Sequence, residues 1–268
     1  MLKRLFMIVA AVASASAVAG FVKGRTEFKR WGIDPAEKAK PLPGDDLVPE
    51  AEAIDTRGID IDAPPEKVWP WLVQMGYGRA GWYSYDELDT NHPSADHIVP
   101  ELQKLEVGDV VPTHPGGGFE VKVLEPGEAL VLYADRALME AQKAAAPDSI
   151  KEASLNVQAT GMALETTMQG DFTASWAFVL EPRPEGRTRL IERFRGKMEM
   201  PAPPAGAPVP PRVPEIAGKA ITFGLFVMVR RQLLGIRDRA EGRPIQMPWY
   251  RQRTARATAR ADIAATPA

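Results

Sequence analysis

Apolar and polar residues alternate with period two in several separate stretches of this chain, and each such stretch is expected to be a β-strand with one buried face. The first is Ile54–Asp62, where Ile59 and Ile61 are interleaved with polar neighbours. Strands are expected again at Val107–Thr113, Phe119–Leu124 and Ala129–Tyr133, the last two separated by the turn Glu125-Pro126-Gly127-Glu128. The most legible pair is a hairpin. In Asp171–Leu180, residues Phe172, Ala174, Trp176, Phe178 and Leu180 share one face while Thr173 and Ser175 share the other. Beyond the turn at 181–186, Leu190, Glu192, Phe194 and Gly196 alternate against Arg189, Ile191, Arg193 and Arg195. One carboxylate, Glu192, therefore falls on the apolar face. An ionised carboxylate is costly to bury alone, so Glu192 should take a proton, open onto a solvated cavity, or meet a cation, for which Arg79 is the candidate.

Helical spacing appears in two places. Glu66–Met75 puts Val68, Trp71, Leu72 and Met75 on one face, follows the cap-and-proline run Asp62-Ala63-Pro64-Pro65, and should bend near Pro70. A short second helix is expected over Tyr83–Leu88. The long segment Pro214–Glu241 follows a proline-dense stretch over Met200–Pro214, and its early half, around Phe223 and Val227, is apolar nearly all round. Such a half-helix is expected to be buried against a sheet or to touch lipid, and is too short to span a bilayer. Residues 136–170 change character to an alanine- and methionine-bearing stretch broken at Pro147. They read as an insertion with one or two short helices, either a lid or a surface excursion.

Near the start, Leu5–Val22 is an apolar run flanked by Lys3 and Arg4 before it and by Lys23, Arg25, Lys29 and Arg30 after it. Residues 1–25 are expected to be a single-pass membrane anchor, with a cleavable signal peptide and export as the alternative. The basic cluster after the run favours the anchor and a cytoplasmic body. Residues 26–53, rich in Pro, Asp, Glu and Lys, read as an exposed linker. The main domain is then expected over 54–247, and the basic tail 248–268 is expected to be disordered.

Composition narrows the chemistry. A formal net charge of −2 argues against a nucleic-acid partner, and with no cysteine in the chain there are no disulfides, thiolate nucleophiles or cysteine metal sites. His92 and His97 lie in a turn-rich loop broken by Pro93, and His114 adjoins Pro115 and Gly116–Gly118, an expected hairpin connection. No metal site or cofactor is assigned, and the glycines lack the Gly-Lys-Ser/Thr that completes a phosphate loop. Aromatic residues are instead concentrated in Val68–Asp89, which holds Trp69, Trp71 and Trp82 of six tryptophans and Tyr77, Tyr83 and Tyr85 of five tyrosines. Rings of this kind suit a core or a ligand wall equally well.

The run APPEKVWPWLVQMGYGRAGWYSYDELD after an alternating strand, followed by Pro-Glu-Leu-Gln and VGDVVPT, resembles the polyketide-cyclase-like branch of the START-type helix-grip (SRPBCC) superfamily over roughly residues 54–241. The resemblance implies an α+β fold in which a curved antiparallel β-sheet wraps around a long C-terminal α-helix and encloses a hydrophobic cavity. With the N-terminal transmembrane helix added, the expectation is a membrane-tethered binding or carrier domain for a hydrophobic small molecule or lipid. A cyclase, dehydratase or hydrolase acting on an apolar substrate is the alternative, and an accessory role in a membrane complex a third. Candidate cavity residues are Trp71, Arg79, Trp82, Tyr83, Tyr85, Trp176, Phe178, Glu192, Phe194, Phe223 and Val227. For chemistry only Glu192, Arg79, Tyr83, Tyr85 and Asp86 present themselves, without a triad or metal constellation, so no catalytic residue is assigned.

Overall fold

A computed structural model describes residues 30–89, 92–145, 171–198 and 212–245. In chain order its elements are α1 (Pro35–Ala39), β1 (Ala53–Ile61), α2 (Pro65–Val73), α3 (Asp86–Asp89), β2 (Val110–His114), β3 (Gly117–Glu125), β4 (Ala129–Asp135), α4 (Arg136–Ala145), β5 (Phe172–Arg183), β6 (Arg187–Met198) and α5 (Arg212–Ala240). The architecture is α+β. All strands belong to one six-stranded sheet in the order β1-β6-β5-β4-β3-β2, and every neighbouring pair is antiparallel. Strands β2 to β6 form a meander, and β1 returns to pair with β6.

Register confirms the expected faces. Glu192 stands between Arg57 of β1 and Phe178 of β5, and Phe194 stands between Asp55 and Trp176. The inner face carries Ile59 and Ile61, Leu130 and Leu132, Phe178 and Leu180, and Leu190, all packed in one core with Trp71 and Leu72 of α2 and Leu233 and Ile236 of α5. Each such side chain, once fully buried, contributes about 1.5–3 kcal/mol, so this layer is the main source of stability. Register shifts between Pro112 and His114 and between Val121 and Val123 interrupt the β2–β3–β4 ladder, as bulges that bend a sheet do.

Helix α5 meets α2 and β1 through its second half. Leu233, Ile236 and Ala240 recur at spacings of three and four and are buried, and Gly235 lets the helix close on the backbone of Tyr83. The first half behaves otherwise than expected. Phe223 and Leu225 are exposed and Val227 is only half-buried, whereas a little further on Ser84 Oγ donates to the Met228 carbonyl and Val229 packs against the inner-face core. The short helix expected at Tyr83–Leu88 is restricted to Asp86–Asp89, since Tyr83 adopts a left-handed conformation (φ 58°) incompatible with helix.

Residues 30–50 correct the expectation of an exposed linker, for they lie across the outer face of the sheet. Leu42 and Val48 are buried there, and Leu42 packs with Ala129, Val179 and Ile191 in a second hydrophobic cluster. The outward-facing arginines of β6 hold this strap. Arg193 Nε donates to Thr56 Oγ1 (3.1 Å), Nη1 to the Lys40 carbonyl (2.9 Å) and Asp45 Oδ2 (2.6 Å), and Nη2 to the carbonyls of Glu37 (3.3 Å) and Lys38 (2.9 Å). Its fork thus closes the C-terminal end of α1, whose last carbonyls have no partner within the helix. Arg189 grips both oxygens of Glu37 at 2.8 Å and the Gly32 carbonyl, while Arg195 donates to the Val48 carbonyl at 2.9 Å. Polar composition read as solvated; here it supplies acceptors to a row of guanidinium groups.

No helix among the described residues is long and apolar enough to cross a membrane. The anchor expected within residues 1–25, most of the 136–170 insertion beyond α4, the proline-dense 199–211 stretch and the 248–268 tail lie outside the described residues.

Candidate functional site

Strands β1, β6 and β5 lie side by side, so inner-face residues of equal register form rows across the sheet, and one of these rows is charged. Glu192, fully buried, accepts from Arg57 Nη1 at 3.2 Å on one oxygen and from Trp176 Nε1 at 2.7 Å on the other. Arg57, itself buried, also donates through Nη2 to Asp55 Oδ2 at 3.3 Å. Desolvation raises the Glu192 pKa above the ordinary carboxylate range, against the charge of Arg57 and the Trp176 hydrogen bond, which lower it. A carboxylate in this position is tolerated because both of its oxygens are engaged and a cation adjoins it.

The indole that caps Glu192 is the centre of an aromatic cluster. Trp82 stacks on Trp176 at 5.4 Å with 24° between the planes, Phe178 is tilted against it at 5.0 Å, and Phe119 of β3 meets it edge-on at 6.0 Å. Phe178 and Trp82 are buried. Trp176, Phe119 and the neighbouring Phe194 are only half-buried, so part of the inner face shows large rings that no described element covers completely. Aromatic surface of this extent beside a buried charge is an unusual combination for a sheet interior, where polar groups cost free energy unless paired.

Other expected site residues have structural duties. The Trp71 and Tyr83 rings meet edge-on at 5.9 Å, the Tyr83 hydroxyl donates to the Trp71 carbonyl at 3.1 Å, and the Arg239 guanidinium lies 4.5 Å from the Tyr83 ring centroid. Burial pushes the Tyr83 phenol far above its usual range, so it is a packed donor. The pairing of Glu192 with Arg79 is corrected. Arg79 instead donates to the carbonyls of Met75 (3.0 Å), Val73 (3.0 Å) and Leu102 (3.2 Å), closing the Gly76–Gly81 loop that follows α2. A guanidinium offers donors in a fixed fork, and three nearby carbonyls satisfy it where a carboxylate was expected. Tyr85 is half-buried at the start of α3, and Phe223 and Val227 stand on the less covered half of α5.

No protein-family model and no curated protein sequence matches the chain. Several solved structures are similar to it at low scores. A conserved protein from Geobacillus kaustophilus shares 10% identity over 70% of this chain and 95% of its own, with a TM-score of 0.33. The Zhui aromatase/cyclase from Streptomyces sp. R1128 shares 11% over 70% and 93%, with a TM-score of 0.30. DynU16, a putative protein of the dynemicin biosynthetic locus, shares 13% over 72% of this chain but only 49% of its own, with a TM-score of 0.32. At these scores the likenesses carry no weight for function, which rests on the chain's own residues.

Of the candidate cavity residues, the structure brings Trp82, Trp176, Phe178, Glu192 and Phe194 together, and beside them stand Arg57, Asp55 and Phe119, which the sequence reading did not name. The signal for the first two was present: Asp55 and Arg57 have the same parity as Ile59 and Ile61, so they share the buried face. Asp89 was missed as well. Its carboxyl is pushed up to about 6, chiefly by burial and further by nearby Asp86, while a hydrogen bond from Ser84 opposes the rise. Asp86 itself accepts from Ser94 Oγ at 2.6 Å and from the Ser94 N–H at 3.0 Å, which ties α3 to the following loop. Among the described residues no group of His, Asp or Glu side chains is arranged to hold a metal ion.

Proposed function

We propose that the chain is a binding or carrier domain for a flat, largely apolar small molecule or lipid, seated against Trp176, Phe119 and Phe194 on the inner face and kept beside a bilayer by residues 5–22. The observation that supports this reading is the half-buried Trp176, a large ring left partly uncovered at the centre of an aromatic cluster. Apolar ligands bind where hydrophobic and aromatic walls surround few polar groups, and Glu192 with Arg57 is the polar pair here. Both Glu192 oxygens already accept hydrogen bonds, which fits a carboxylate that orients the Trp176 indole better than a general acid or base. Binding is therefore preferred to a cyclase- or dehydratase-type reaction.

The test is a titration of the full chain in detergent micelles with an apolar aromatic probe, 1-anilinonaphthalene, followed by tryptophan quenching, together with native mass spectrometry for co-purified lipid. Trp176→Ala is expected to weaken probe binding about 30-fold or more, the loss typical of an aromatic anchor. Trp69→Phe, outside the cluster, should leave it unchanged. Equal affinity in wild type and Trp176→Ala, with no co-purified ligand, would overturn the reading.

A further inference from the structure

Among the described residues two glutamine side chains are sealed from water, Gln74 at 0% and Gln232 at 2% exposure, and their amides are served very differently. Gln74 is saturated. Its Nε2 donates to the His97 carbonyl at 3.2 Å, and its Oε1 accepts from the Val99 N–H at 2.9 Å and from Gln103 Nε2 at 3.1 Å. Gln232, on α5, points Nε2 at the Met75 thioether sulfur at 3.6 Å, and its Oε1 is buried without a hydrogen-bond partner among the described residues. A thioether accepts weakly and cannot donate, which sets the NH2 end on the sulfur and leaves the carbonyl as the free end. Such a buried acceptor costs free energy unless water or a ligand meets it.

Gln232 lies along the segment that carries Trp82. The Tyr83 carbonyl adjoins Gly235 and Ser84 Oγ donates to the Met228 carbonyl at 2.9 Å, so Gln232 falls between these two contacts of α5. Trp82 stacks on Trp176, and Met75, which the amide touches, packs in the same core layer. Gln232 is also the first buried residue of α5 among those described, one turn beyond the half-buried Met228 and Val229. We propose that Gln232 Oε1 accepts a hydrogen bond from a hydroxyl group of the bound molecule, which makes the ligand a flat apolar compound carrying a neutral donor; the proposal rests on the binding reading above. The donor is neutral because the amide carries no charge and its buried neighbours, Met75, Leu233 and Ile236, are apolar, where an unpaired cation costs far more than a hydroxyl. Glu192 does not take this part, since both of its oxygens already accept.

The full chain in detergent micelles, loaded with 1-anilinonaphthalene, is titrated with 2-naphthol and with 2-methylnaphthalene, in which a methyl group of similar size replaces the hydroxyl. The ratio of the two displacement constants is compared between the native chain, Gln232→Leu and Gln232→Met, which cancels the partitioning of each probe into micelles. The preference for 2-naphthol is expected to fall about ten-fold or more in both variants, with 2-methylnaphthalene bound at least as tightly as by the native chain. A merely structural Gln232 would instead weaken both probes alike. An unchanged ratio overturns the hydroxyl assignment, the amide then being served by water, and leaves the binding reading standing; so does a native chain that binds the dye but releases it to neither probe. A native chain that binds neither dye nor probes removes both readings. Co-crystals of the native chain with 2-naphthol decide the matter where a variant loses its fold: the probe oxygen is expected about 2.7 Å from Gln232 Oε1, and a pose with that oxygen turned away from Gln232 overturns the proposal.

Discussion

Arg57 Nη1 stands 3.2 Å from Glu192 Oε2, with both side chains sealed from water. A pair of this kind contributes little net stability relative to apolar residues, yet losing one member strands the other charge in a low-dielectric interior. Arg57→Met is therefore expected to destabilise the fold by about 3–5 kcal/mol, whereas Arg57→Met combined with Glu192→Gln should recover much of that loss. Urea unfolding of the native chain and the two variants measures both quantities. If the single and double variants are equally unstable, the charge of Glu192 is not what Arg57 serves.

Trp176→Phe separates ring from donor. The substitution keeps an aromatic ring against Trp82 and Phe178 but removes the N–H that Glu192 accepts at 2.7 Å. Loss of a hydrogen bond to a charged group costs about 1.5–3 kcal/mol, and the Glu192 pKa should rise further above its already raised position. An infrared carboxylate titration is expected to show that upward movement; an unchanged Glu192 band would mean the indole does not hold it.

Two glycines of α5 should respond in opposite directions to the same change. A methyl group on Gly235 would come within 2.2 Å of the Tyr83 carbonyl oxygen, whereas one on Gly224 meets nothing within 4 Å. Ala is the better helix former by about 1 kcal/mol, so Gly224→Ala should raise the thermal midpoint slightly. Gly235→Ala should lower stability by about 1–3 kcal/mol, because either α5 or the strained Tyr83 backbone must shift. Calorimetry on the two variants checks both signs, and a Gly235→Ala chain as stable as the native one would show that Tyr83 does not limit the approach of α5.

Asp89 gives the fold a pH dependence. Its folded-state pKa of about 6 lies above the ordinary 3.8, so the folded chain binds its proton more tightly than the unfolded chain does. The resulting stabilisation is complete below about pH 4 and lost as pH rises through about 6, at most about 3 kcal/mol. Asp89→Asn should abolish this slope between pH 4 and 6 and be more stable than the native chain at pH 7–8. Chemical denaturation across that range checks the sign.

The faces of β5 and β6 were legible because a two-residue period leaves only two arrangements, and Trp176, Phe178 and Leu180 mark which one is buried. Arg57 carries the same kind of signal, since it shares the parity of Ile59 and Ile61 on β1 just as Glu192 shares that of Leu190 and Phe194 on β6. The strap over the outer face had no comparable signature. Arg193 and Arg195 bind mainly backbone carbonyls of residues 37–49, and a carbonyl is present at every residue whatever its side chain. For α5, apolar composition around Phe223 suggested burial, but composition alone does not distinguish a helix covered by a sheet from one that ends its cover halfway.

Among the described residues, strand β1 finds its hydrogen-bonding partner only in β6, the last described strand in chain order. About 140 residues separate Ala53 from Gly196, roughly 7–30 s of ribosomal elongation at 5–20 residues per second. Throughout that interval the nascent chain carries an arginine destined for the interior with its acid not yet made. Native structure in the first strand must therefore arise late, and chains stalled before Glu192 are natural clients for chaperones and proteases.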